Sequence, residues 1–78
     1  MATNSTHTAD YRYILKELPA PNDSSVWALE CYPETQQLPF IGKHGSMYLR
    51  FKPNTPKEVV DQIRSALNTH VENITVIN

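Results

Sequence analysis

The segment of the sequence that most resembles a chemical site is a short polar stretch, Gly42-Lys43-His44-Gly45-Ser46. It contains both glycines of the chain, and glycine readily adopts the positive φ angles of tight turns. Backbone N–H groups gathered in such a turn, beside a cation, an imidazole and a hydroxyl, could hold an anion. The alternative is a hairpin loop whose glycines supply turn geometry and whose polar side chains face water. We favour the hairpin loop.

A second candidate site consists of basic and aromatic residues that would lie on one face of the predicted sheet if the corresponding faces of its three strands coincide. They are Arg12, Lys16, Tyr32, Tyr48, Arg50 and Lys52. Single-stranded nucleic acid is bound in this way, by bases that stack on aromatic rings over a cationic surface. Glu30 on the same face and the balanced total charge favour the alternative, a solvated face with cross-strand charge pairs. Binding of RNA or single-stranded DNA is therefore our second hypothesis.

The sequence contains no recognised catalytic motif: no Gly-x-Ser-x-Gly, HExxH, P-loop, CxxC or dinucleotide-binding fingerprint. Cys31 is the one cysteine, which excludes an internal disulfide and a site of several thiolates, and its apolar neighbours predict inert packing. His70, at the end of the predicted helix, could sense pH or bind a ligand. We favour a half-exposed histidine of the last turn. We predict no enzymatic activity, no cofactor and no metal.

The composition is that of one small globular domain. The chain has 78 residues, of which 40% are hydrophobic and 19% charged, and a domain of this size has a thin core. Seven Lys/Arg oppose eight Asp/Glu, which gives no general attraction to nucleic acid and little repulsion between copies. The sequence has no apolar run that could span a bilayer and no disulfide framework. We therefore predict a cytoplasmic protein that does not associate with membranes.

Alternation and turn residues predict three antiparallel strands, at residues 11–18, 25–32 and 46–52. Residues 1–9 are small and polar and are predicted to be a disordered tail, ahead of a single domain at residues 10–78. Residues 33–45 fit a loop, an edge strand or part of a hairpin, and the sequence does not decide between these.

The strongest local signal is a helix that begins at Thr55-Pro56-Lys57-Glu58. Thr55 is predicted to be the N-cap, Pro56 the first helical residue, and Glu58 the partner in a capping box. Apolar residues at helical spacing form one stripe as far as residues 71–73, and the β-branched residues 74–77 predict a last strand. The predicted fold is α+β, a small antiparallel sheet of three to four strands in β-β-β-α-β order with one amphipathic helix packed on one face.

This architecture leads to our first hypothesis, a small non-catalytic module that binds another protein. One helix covers one sheet face, so an open face and at least one unpaired edge remain for a strand of another chain or of a second copy. The predicted contact residues lie in the undecided loop: Leu38, Phe40, Ile41, Lys43 and His44. We expect an inhibitor or adaptor of a larger protein, of the kind found in mobile elements. A homodimer through a sheet edge is a further expectation.

Overall fold

The computed structural model describes residues 5–22 and 24–78. These residues form five strands and one helix. The bounds are β1 Thr6–Ala9, β2 Tyr11–Pro19, β3 Ser25–Pro33, β4 Met47–Arg50, α1 Lys57–His70 and β5 Ile74–Ile77. The α+β class and the β-β-β-α-β order predicted for the chain from residue 11 onward are confirmed.

Strands β2, β3 and β4 form an antiparallel sheet in that order, with β3 in the centre. Tyr11 lies opposite Pro33, and Pro19 lies opposite Ser25 beside the connecting turn. In this turn Asn22 has a φ of 64°, a conformation that asparagine tolerates better than most residues. Strands β2 and β3 end at Pro19 and Pro33 because proline cannot donate to the ladder. β2 and β3 have nine residues each and β4 has four, so only the middle of the sheet is three strands wide.

The helix packs against β2 and β3, with Val60 completely buried. It begins at Lys57, and Pro56 holds the N-cap position without a side-chain hydrogen bond. The predicted capping box is therefore wrong, because the Thr55 hydroxyl donates to Lys52 O at 2.7 Å and closes the preceding turn instead. Within the described ranges, no helix combines the length and apolar character needed to cross a membrane.

The core lies between the helix and the sheet. Its buried side chains come from both sheets, the loop and the helix, and they are Ala9, Tyr11, Tyr13, Leu29, Cys31, Leu38 and Val60. The odd-numbered positions of β2 and β3 therefore face the helix, as alternation requires, and the even-numbered positions form the opposite face of the sheet.

A second, two-stranded sheet pairs β1 with β5. Residues 6–9, predicted to belong to a disordered tail, are a strand instead, and residues 1–4 lie outside the described residues. His7 lies opposite Val76 and Ala9 opposite Ile74, and Ala9 is buried. The prediction failed for residues 6–9 because the strand consists of small and polar residues and gains its burial from β5, which is remote in sequence. The predicted last strand exists, and its partner is β1.

Residues 34–46, between β3 and β4, form a loop with turns at residues 39–41 and 43–44. Ile41 N–H donates to Leu38 O at 3.0 Å and closes the first of these turns. Of the three alternatives for the undecided segment, the structure has the loop.

Candidate functional site

Strand β2 is an outer strand of the three-stranded sheet, and a helix side chain covers one residue, Tyr13, of its free edge. Asn68 Oδ1 accepts the Tyr13 N–H at 2.8 Å, and Asn68 Nδ2 donates to Tyr13 O at 3.0 Å. The carboxamide thus supplies the acceptor and the donor that an adjacent strand would provide. At Tyr13 the edge is therefore a poor template for another strand.

Strand β4 is the other outer strand, and its edge is open. Phe51 N–H donates to Trp27 O at 3.2 Å, so the odd-numbered backbone groups of this segment point toward β3. The N–H and C=O groups of Tyr48 and Arg50 therefore point away from the sheet. Among residues 5–22 and 24–78, no backbone hydrogen bond from a turn, loop or cap occupies these groups.

Apolar side chains are exposed beside this open edge because the helix lies over β2 and β3. Leu49 lies on the helix side of β4, opposite the buried Leu29, yet it is 42% exposed. On the helix, Val59 is 41% exposed and Ile63 is 36% exposed. At 3.6 residues per turn, these two lie about 180° and about 140° around the helix from Asn68, and so face away from the β2 edge. We call the free edge of β4, with Leu49, Val59 and Ile63, the β4 edge surface.

The sequence did not identify this surface. Helical spacing placed Val59 and Ile63 in the stripe expected to be buried, and alternation placed Leu49 on the apolar face of its strand. Both assignments to a face are consistent with the structure. These side chains are exposed because the helix covers two strands out of three. No local sequence pattern predicts which strands a helix covers.

The register brings most of the predicted nucleic-acid-binding residues together on the sheet face opposite the helix. Arg12 lies opposite Tyr32, and Arg50 lies opposite Ala28, which in turn lies opposite Lys16. Tyr48 lies opposite Glu30 on the same face. Lys52 follows the end of β4 and has no partner in the register.

The cations of this face are already engaged by other groups of the protein. Lys16 Nζ lies 3.5 Å from Glu30 Oε1, and the Arg12 guanidinium lies 4.9 Å from the centre of the Tyr32 ring. Arg50 Nη2 donates to Pro19 O at 3.0 Å. A nucleic acid would have to compete for each of these groups.

The predicted contact loop is divided between core and surface. Leu38 is 1% exposed, so its prediction as an exposed anchor is wrong. Its N–H donates to the Tyr11 hydroxyl, which donates in turn to Gln37 Oε1, and Gln37 Nε2 donates to Gly45 O. This chain of hydrogen bonds draws the apolar part of the loop into the core.

The other predicted loop contacts remain accessible. Phe40 is 61% exposed, Ile41 is half-buried, and Lys43 and His44 are exposed. The loop also borders an open cavity of about 410 Å³. Its lining consists of Pro33, Thr35, Gln36, Gln37, Leu38, Pro39, Gly42 and Lys43. Lys43 is the only charged group in that lining, so the cavity has little means of fixing a specific ligand.

The two loop glycines are needed for different reasons. Gly42 has a φ of 85°, which side chains disfavour. Gly45 is needed for space, because a Cβ there would overlap Ile41 O. The glycines therefore shape the loop, Gly42 through its backbone conformation and Gly45 through the space it leaves.

The remaining titratable candidates are packed or isolated. Cys31 is buried, and burial, together with the charge of Glu30, raises the pKa of its thiol above the ordinary value. His70 is exposed in the last turn of the helix. In the part of the chain that the structure describes, no group of three or more His, Cys, Asp and Glu is placed to hold a metal ion.

Comparisons of the chain with family models, with curated proteins and with solved structures find no match.

Proposed function

We propose that this protein binds another protein by accepting an extended segment of it as an added strand at the free edge of β4. The observation that supports this most directly is the contrast between Tyr13 on one edge of the sheet and Tyr48 and Arg50 on the other. Asn68 occupies the backbone groups of Tyr13, whereas the outward groups of Tyr48 and Arg50 have no such cover. In strand addition, main-chain hydrogen bonds supply affinity and alternate side chains supply specificity.

The exposed apolar residues of the β4 edge surface fit this mode of binding. An added strand would place every second side chain on the helix side of the sheet, next to Leu49, Val59 and Ile63. Covering these side chains would contribute about 25 cal/mol for each Å² of apolar surface removed from water. A protein that binds in this way blocks a segment of its partner, as an inhibitor does, or joins the partner to another protein, as an adaptor does.

Binding of RNA or single-stranded DNA is the second candidate function. It is favoured by the register, which assembles Arg12, Lys16 and Tyr32 with Tyr48 and Arg50 on one face. We rank it second because Lys16 is paired with Glu30 and Arg12 is stacked on Tyr32.

The test begins with a display library of random peptides of about ten residues, the length of a long strand, selected on the intact protein. Selected peptides are then titrated into isotopically labelled protein and followed by NMR. We expect the largest shifts at the amides of residues 47–50 and at Val59 and Ile63. Shifts confined to the loop around Phe40 would contradict the proposal.

Two variants separate backbone pairing from side-chain packing. Tyr48→Pro removes an N–H that points away from the sheet, and we expect it to abolish binding. Leu49→Lys leaves the Tyr48 N–H in place and replaces an exposed apolar side chain, so it should weaken binding without unfolding the protein. Gln62→Ala, on an exposed part of the helix, is the matched control. A single-stranded oligonucleotide whose binding falls steeply with salt and is lost in Arg50→Glu would favour the second candidate instead.

A further inference from the structure

The stretch of chain that contains β4 is strongly cationic within a nearly neutral protein. Between Glu34 and Glu58 the sequence has no Asp or Glu. It has four cations, and these are Lys43, Arg50, Lys52 and Lys57. Of the seven Lys/Arg in the chain, three remain outside this stretch against all eight Asp/Glu. The stretch thus carries a charge of +4 and the rest of the chain −5.

No ion pair of the described residues includes any of these four cations, although Lys57 adds to the effect of Arg64 in lowering the pKa of Asp61. The two ion pairs within residues 5–22 and 24–78 join Lys16 to Glu30 and Arg64 to Asp61. Arg50 donates to an uncharged carbonyl, Pro19 O. Lys57 Nζ lies 5.5 Å from the centre of the Trp27 ring. Of these four cations, Arg50 in β4 and Lys52 two residues later lie at the open edge, and no ion pair of the described residues includes either.

We infer that the segment added at β4 is acidic, an extended stretch of a partner protein in which apolar residues alternate with Asp or Glu. This inference rests on the strand addition proposed above. The apolar side chains lie on the helix side against Leu49, Val59 and Ile63. The acidic ones lie on the opposite face, next to Lys52 and next to Arg50, whose contact with Pro19 O a carboxylate would replace, since opposite charges on neighbouring strands attract.

The same charge makes a second copy of this chain a poor occupant of the edge. Pairing of β4 with β4 of another copy would bring two cationic stretches together, and like charges across an interface cost free energy. The predicted homodimer is therefore disfavoured at this edge. A nucleic acid would supply negative charge, but it offers neither the backbone N–H and C=O groups that a strand edge pairs with nor the apolar side chains that cover Leu49.

The peptide selection described above tests the inference through the composition of the peptides it enriches. We expect Asp and Glu at alternate positions, with apolar residues between them, and affinity that falls as salt rises. The Arg50→Gln/Lys52→Gln double variant should lose about tenfold in affinity for these peptides. Arg64→Gln, which neutralises a cation outside the stretch, should leave the affinity unchanged.

The outcomes distinguish this inference from the proposal on which it rests. If the selected peptides are neutral or basic, bind at residues 47–50 and fail to bind Tyr48→Pro, the inference of an acidic partner is overturned. The proposal of strand addition at β4 is then still supported. Acidic peptides that bind Tyr48→Pro as tightly as the unmodified protein would overturn both. Displacement of the acidic peptides by a single-stranded oligonucleotide that binds more tightly would identify this surface as a nucleic-acid site and would also overturn the inference.

Discussion

The hydroxyl of Tyr11 accepts the backbone N–H of Leu38 at 3.0 Å, which ties the first residue of β2 to a loop residue 27 positions later. The same hydroxyl donates to Gln37 Oε1 at 2.9 Å. One oxygen atom thus satisfies a buried backbone group and fixes the start of the loop. The loop lacks a strand or helix of its own, so this contact is one of the main reasons for its defined path.

Tyr11→Phe should destabilise the protein by about 1–3 kcal/mol, because it leaves the buried N–H of Leu38 without an acceptor. The free energy of unfolding in urea measures this. Tyr32→Phe removes a hydroxyl from an exposed ring and should stay within about 0.5 kcal/mol of the unmodified protein. Equal effects of the two substitutions would contradict the assigned role of the Tyr11 hydroxyl.

Leu38→Ala should cost about 2–5 kcal/mol, because the side chain is buried and its removal leaves a cavity. Phe40→Ala removes a larger side chain from the same loop, but one that is mostly exposed, and should cost no more than about 0.5 kcal/mol. Chemical unfolding of both variants checks this. A larger loss in Phe40→Ala than in Leu38→Ala would show that the loop packs in a different way.

Asn68→Ala should cost about 1–3 kcal/mol, because it leaves the N–H and C=O of Tyr13 without their side-chain partner. Gln62→Ala, an amide on the exposed side of the same helix, is the control and should be nearly neutral. The Asn68 variant should also associate at high concentration, since it opens the β2 edge. Sedimentation at several concentrations measures this, and a strictly monomeric variant would refute edge protection by Asn68.

The stability of the protein should fall as the pH rises above the ordinary pKa of a thiol, 9.0. Burial raises the pKa of Cys31 in the folded state, and the charge of Glu30 adds to this. Below 9.0 the thiol is protonated in both states and its contribution to stability is fully present. As the pH rises further, the unfolded chain releases its proton first, so this contribution is lost as the pH passes through the raised pKa.

Unfolding experiments on either side of that pH, with Cys31→Ala as the comparison, measure this loss. Burial also raises the pKa of Tyr13, and the charge of Cys31 adds to this, so Cys31→Ala removes part of that effect as well. The unmodified protein should therefore lose more stability with rising pH than Cys31→Ala does. Equal losses of stability in the unmodified protein and in Cys31→Ala would show that groups other than Cys31 cause the pH dependence.

The sequence predicted the elements whose evidence is local. Alternation in residues 11–18 and 25–32, with a proline directly after each segment, is sufficient for the β2–β3 hairpin. The apolar stripe that contains Val60 is sufficient for the helix. These patterns are visible in the sequence because, in a strand or helix with one buried face, apolar residues recur with the period of that element.

The features that the sequence did not reveal depend on partners far away in the chain. β1 is a strand because β5 lies beside it, and Leu38 is buried because the Tyr11 hydroxyl holds its backbone. For the candidate site, the sequence predicted an open edge without identifying the strand. That strand is β4 because the helix lies toward β2, where Asn68 reaches the backbone, and this placement is a property of the assembled domain.

The pairing of β1 with β5 has a consequence for the order in which the chain folds. The Thr8 and Thr75 hydroxyls lie 3.1 Å apart although 67 positions separate the residues, whereas a short turn suffices to close the β2–β3 hairpin. Contacts between remote residues form late, because the entropy of closing a long loop must be overcome first. We therefore expect the hairpin and helix to assemble first and the β1–β5 ribbon to close last. In the native protein the ribbon should also open first, and its amide hydrogens should exchange with solvent faster than those of β3.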